Sequence, residues 1–111
     1  MRIRTQDYNN VAVLELQGEL DADSAGQLQR TITDVIATNK TGIVLDMRGV
    51  GFIDSKGLEQ LLWARDYCNE NKCGIRIAGL DENCSKILEI TRLDNVFDSY
   101  AELSEAVKSF A

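Results

Sequence analysis

Ile43-Val44-Leu45 is an uninterrupted apolar run, preceded by Gly42 and closed by Asp46-Met47. The run is too short for a helix, and its lack of polar alternation marks a strand covered on both faces. Such a strand needs helices above and below its sheet, and the sequence supplies them in alternation. Ile3 to Gln6 alternates weakly, Asn9-Asn10 offers turn chemistry and Val11 to Leu16 is a second strand, so the chain opens with a hairpin. Ser24 stands three residues before Gln27 as a capping box, and Ala25, Leu28, Ile32, Val35 and Ile36 recur at helical spacing until about Asn39, with Gly42 beyond.

After the central strand, Arg48 to Ser55 contains Gly49 and Gly51 and is expected to form a loop. Leu58, Leu61, Leu62 and Cys68 mark one face of a second helix, which should end before Gly74 as a left-handed cap. Ile75 to Ala78 is the next strand, and Asp81 caps a third helix carrying Cys84, Ile87, Leu88 and Thr91. Val96-Phe97 is a short extended piece. Ser99 with Glu102 repeats the capping-box pattern before Leu103, Ala106, Val107 and Phe110. The order β-β-α-β-α-β-α-(β)-α predicts an α/β fold: a mainly parallel sheet with an N-terminal antiparallel hairpin and about four helices. The 111 residues, 44% hydrophobic and 27% charged, suit one domain over residues 1–111.

Composition then removes function classes. There is no histidine, so imidazole bases, imidazole zinc ligands and Ser-His-Asp triads are excluded. A net charge of −6 argues against a phosphate-tracking nucleic-acid surface and against a polybasic membrane contact. Cys68, Cys73 and Cys84 match neither a disulfide framework nor a zinc site, and are expected to be chemically inert buried thiols. No apolar run approaches the roughly 18 residues of a membrane span, and Met1-Arg2-Ile3-Arg4 leads into polar sequence, so a cytoplasmic location without membrane insertion is expected. No metal cluster or Gly-rich Lys-Ser/Thr phosphate loop is present, so neither a cofactor nor an enzymatic activity is expected.

In open α/β sheets the working crevice lies beyond the carboxyl ends of the strands, here the segment from Asp46 to Gly57 together with Asp21. Ser55 falls at the start of the second helix, where free N–H groups and the helix dipole favour a serine oxygen or a phosphate. By position alone, Asp54 or Ser55 serves as an N-cap contributing about 1 kcal/mol.

Asp46 to Leu58, with Asp-x-x-x-Val-x-Phe-x-Asp-Ser-x-Gly-Leu spacing, resembles the central motif of the STAS domains of bacterial anti-sigma factor antagonists. Gly18-Glu19-Leu20-Asp21 followed by Ser24-Ala25 resembles the second signature of that family. The resemblance implies that Ser55 is phosphorylated by a partner that is both serine kinase and anti-sigma factor, that a serine phosphatase removes the phosphate, and that only the unmodified protein captures the anti-sigma factor and frees sigma. It implies a partner-binding surface of Asp21, Asp54, Ser55, Lys56 and Gly57. Lys56 departs from the family, whose members commonly carry a small hydroxyl residue there; it pairs with a phosphate or a partner carboxylate, or is simply solvated. A monomer or weak dimer is expected.

Two other readings compete. A response-regulator receiver would accept phosphate on Asp46 with Mg²⁺, but the paired carboxylates such a site needs after the first strand are missing. A STAS subunit of a lipid-transport ABC system keeps the fold and changes the partner to a transporter ATPase. Among single residues, Phe52 is expected to pack the loop beneath Ser55, Trp63 to lie partly in the core, and Arg48, Arg65 and Arg92 to be solvated or paired at the surface.

Overall fold

The computed structural model describes residues 1–110. Nine elements follow in the expected order: β1 (Arg2–Tyr8), β2 (Val11–Leu20), α1 (Ala22–Ala37), β3 (Gly42–Ile53), α2 (Ser55–Glu70), β4 (Gly74–Ala78), α3 (Glu82–Ile90), β5 (Asp98–Tyr100) and α4 (Leu103–Lys108). The strands form one sheet in the order β1-β2-β3-β4-β5, antiparallel between β1 and β2 and parallel elsewhere.

Alternation along the strands divides the core in two. Ala12, Leu14, Leu16, Ile43, Leu45, Met47, Ile75 and Ile77 pack with Leu28, Ile32 and Val35 of α1, Leu61, Ala64 and Cys68 of α2, and Cys84 and Leu88 of α3. Val11, Val13, Val44 and Ala78 face the other way, under Ala106 of α4 with Leu103, Val107 and Phe110 alongside. Ile43, Val44 and Leu45 are thus each fully buried, on alternate faces, as the unbroken apolar run requires.

The expected loop from Arg48 to Ser55 is instead strand as far as Ile53. Pairing of β3 with β4 stops at Asp46↔Ala78, whereas pairing with β2 runs on to Leu20↔Ile53 through register shifts between Glu15 and Gln17 and between Gly18 and Glu19. Past Gln17, where pairing with β1 has ended as well, β2 and β3 therefore continue as a two-stranded arm. The shifts change the burial period: Met47, Val50 and Ile53 point inward with two exposed residues between each, so no two-residue alternation announces a strand. Of the two glycines that suggested a loop, Gly49 serves close approach, since a Cβ on it would lie 2.7 Å from the Leu16 carbonyl oxygen, whereas a Cβ on Gly51 would meet nothing within 4 Å.

Several boundaries also move. Asp21, not Ser24, caps α1, and Ser24 is a buried residue of its first turn. The left-handed residue after α2 is Lys72 (φ 56°) rather than Gly74, which begins β4. Ser99 belongs to β5, one step after the extended piece expected at Val96-Phe97, and Glu102 caps α4 without a side-chain bond, so that capping box does not form. Gly74 and Gly42 make room for Phe110, whose ring also lies 4.4 Å from the Arg76 guanidinium carbon.

A Cβ on Gly42 would sit 2.7 Å from the Phe110 ring. Gly42→Ala should therefore lower stability by about 2 kcal/mol in urea denaturation. Most of that loss should vanish in a Phe110→Ala background, where the collision is gone.

Candidate functional site

Two helices start side by side at the carboxyl ends of β2 and β3. Because Leu20 pairs with Ile53, the next residue on each strand, Asp21 and Asp54, becomes the N-cap of α1 and of α2. The Asp21 carboxylate accepts the Asp23 and Ser24 N–H groups at 3.0 and 3.1 Å. Ser24 Oγ in turn accepts the Asp21 N–H at 3.0 Å, completing a reciprocal box. The Asp54 carboxylate accepts the Gly57 N–H at 2.8 Å, and its own N–H donates to the Leu20 carbonyl at 3.2 Å. A Gln29–Gln60 side-chain bond of 3.0 Å joins the two helices, about two turns into α1 and one and a half into α2.

Gly57 is buried where α2 meets the end of β2, and a Cβ there would collide with the Leu20 carbonyl oxygen and approach Ile53 Cγ2 to 2.9 Å. The glycine lets the first turn of α2 rest directly on the neighbouring strand. Ser55, the first residue of α2, is exposed, and of the two expected caps it is Asp54 that serves. Lys56 is exposed and pairs with Glu59 at 3.4 Å. All five residues of the expected surface, Asp21, Asp54, Ser55, Lys56 and Gly57, thus lie on two adjacent helix starts, with Gly57 buried beneath the rest.

Phe52 does not pack under this site. It is 46% exposed, opposite Glu19 across the arm, because Ile53 takes the inward position. Arg48 closes a two-pronged pair with buried Asp46, Nε to Oδ1 at 2.9 Å and Nη2 to Oδ2 at 2.7 Å. These bonds to Asp46 raise the Arg48 guanidinium above its ordinary range. Sequence reasoning placed Arg48 among surface cations without finding this partner, although an Asp two residues earlier on one strand shares its face. It also missed Ser24 as the reciprocal member of the Asp21 box. The Asp-x-x-Ser spacing held that signal, but the nearby Ser-x-x-Gln matched the commoner form.

Two neighbouring helix starts, each capped by an aspartate, thus leave Ser55 exposed beside Asp54 at one end of an α/β scaffold. The family model for the STAS domain matches residues 2–106, and the chain belongs to that family. The anti-sigma-F factor antagonist RsfB of Mycobacterium tuberculosis is 30% identical over 106 residues, covering 95% of this chain and 85% of its own. The crystal structure of an anti-sigma factor antagonist from Mycobacterium paratuberculosis superposes with a TM-score of 0.85 at 25% identity, covering 97% of this chain and 92% of that one. The Bacillus protein SpoIIAA in its phosphorylated form shares the fold at a TM-score of 0.75 and 19% identity, covering 99% and 100%. No helix among the described residues is long and apolar enough to cross a membrane.

Replacing Gly57 by alanine should force α2 away from β2 and destabilise the protein by about 3 kcal/mol. Asp54→Ala should cost only about 1 kcal/mol, the usual value of a lost cap. Urea midpoints for the two variants test the ranking; equal losses would mean that α2 is held by its cap rather than by the strand contact.

Proposed function

We propose that this protein is an anti-sigma factor antagonist whose capture of a serine-kinase anti-sigma factor is switched off by phosphorylation of Ser55. The observation that carries the reading is the division of labour at the start of α2: Asp54 caps the helix, leaving the exposed Ser55 hydroxyl available for modification. The name of RsfB and the motif from Asp46 to Leu58 support the choice of partner class. A serine phosphatase restores the binding form, and the cytosol is the compartment in which such an exchange operates.

Phosphorylation adds about −1.5 to −2 charges and three acceptor oxygens next to Asp54 and near Asp21. Asp54 occupies only one first-turn amide, that of Gly57, so the helix N-terminus retains donors for phosphate oxygens. The modified protein can keep its fold while a docked partner must desolvate the new charge or meet it with like charge. A penalty of roughly 3 kcal/mol corresponds to about a hundredfold in affinity. Lys56 tempers the effect, because its exposed pairing with Glu59 is weak enough to be exchanged for the phosphate.

The receiver alternative finds Asp46 buried and clasped by Arg48 rather than open to a metal and a phosphodonor. The test is incubation with purified serine-kinase anti-sigma factors and ATP, site mapping by mass spectrometry, and affinity measurement. Wild type and Ser55→Ala should bind alike, whereas Ser55→Asp and the phosphorylated protein should bind about a hundredfold more weakly. Equal capture of modified and unmodified protein would refute the switch, and capture by an ABC ATPase instead would move the domain to transport.

A further inference from the structure

The C-terminus of α2 ends in a Schellman motif with an unusual side-chain pair. The Cys73 N–H donates to the Cys68 carbonyl at 2.8 Å, the Lys72 N–H donates to the Asn69 carbonyl at 3.2 Å, and Lys72 is left-handed. This motif brings the side chains of its first and last residues together, usually as an apolar contact. Here both are free thiols, and both are buried.

We infer that Cys68 and Cys73 form a redox site that a peroxide converts reversibly into an intrachain disulfide. Covalent lengths and the 2.8 Å bond hold the two Cα atoms within about 6.7 Å, inside the roughly 4.4–6.8 Å span of disulfides. Donation from Cys68 holds the Cys73 thiol below its ordinary range, and the same contact together with burial raises Cys68. Cys73 is therefore the attacking sulfur. Its electron pair takes the terminal oxygen of the peroxide, giving a sulfenic acid as the O–O bond breaks and an alcohol, or water from hydrogen peroxide, departs. Cys68 then attacks that sulfur; the S–S bond forms, the S–O bond breaks, and its hydroxyl leaves as water with the Cys68 proton.

Asn69, Glu70, Asn71 and Lys72 are all exposed, so opening the last turn of α2 gives access without global unfolding. Cys84 provides the contrast. It is buried beneath the arm with Sγ 3.3 Å from the Val50 carbonyl oxygen, and desolvation first, then its contact with Asp81, pushes its thiol up to about 12.

Trypsin cleaves after Arg65, Lys72 and Arg76, which puts the two cysteines on different peptides, Asp66–Lys72 and Cys73–Arg76. The fully reduced protein is treated with hydrogen peroxide, quenched, denatured, alkylated without reduction and digested. The expected result is a disulfide-linked pair of these peptides, lighter by two hydrogens than their sum, with alkylatable thiols falling from three to one and Cys84 labelled throughout. Dithiothreitol should restore all three. Cys73→Ala should leave Cys68 fully alkylatable after the same exposure. Overturning results are alkylation of all three thiols in wild type under peroxide that oxidises free cysteine in a parallel tube, or recovery of Cys68 and Cys73 only as separate sulfinic or sulfonic acids.

Discussion

The Leu20 carbonyl is the point on which the functional end of the molecule rests. It receives the Asp54 N–H, and Gly57 packs against it with no side chain between. One carbonyl therefore fixes both the cap and the first turn of α2 to the end of β2, whose next residue begins the cap of α1. Because the pairing Leu20↔Ile53 sets where each strand stops, the position of Ser55 follows from strand register rather than from a flexible loop. A group held in this way is suited to switching by charge, since little backbone is free to rearrange around it.

That anchoring explains which features could be read from the sequence. Apolar periodicity located the helices and the central strand because their burial follows the 3.6- and two-residue repeats that tertiary packing preserves. It failed from Arg48 to Ile53, where two register shifts in the β2–β3 pairing accompany a burial repeat of three. Glycine chemistry misled in the same region: at Gly49 the absent Cβ serves contact with a neighbouring strand, which is a property of tertiary structure and leaves no local turn signature.

The grouping of the candidate residues was more legible than their mechanical roles. The motif placed Asp21, Asp54, Ser55, Lys56 and Gly57 together, and the parallel register brings them to adjacent helix starts. What spacing did not disclose was that Asp21 works with Ser24, that Gly57 is a packing residue beneath the surface, and that Phe52 faces solvent. The position of Phe52 depends on which side of a strand with a shifted register it takes, and a shift of one residue reverses that choice. The buried Asp46 carboxylate similarly reads as a free acid until its bonds to Arg48 are seen.

Helix α2 carries different chemistry at its two ends for one geometric reason. Its buried face consists of Gly57, Leu61, Ala64 and Cys68, three of them small, so the helix lies close against the sheet and is positioned by backbone proximity more than by bulky side chains. At the N-terminus this closeness leaves Ser55 as the outward neighbour of a satisfied cap. At the C-terminus it requires a tight return into β4, and the Schellman turn that makes the return brings Cys73 back beside Cys68. The same closeness that gives the serine a fixed platform thus also returns Cys73 to the side of Cys68, although the two turns stand at opposite ends of a sixteen-residue helix.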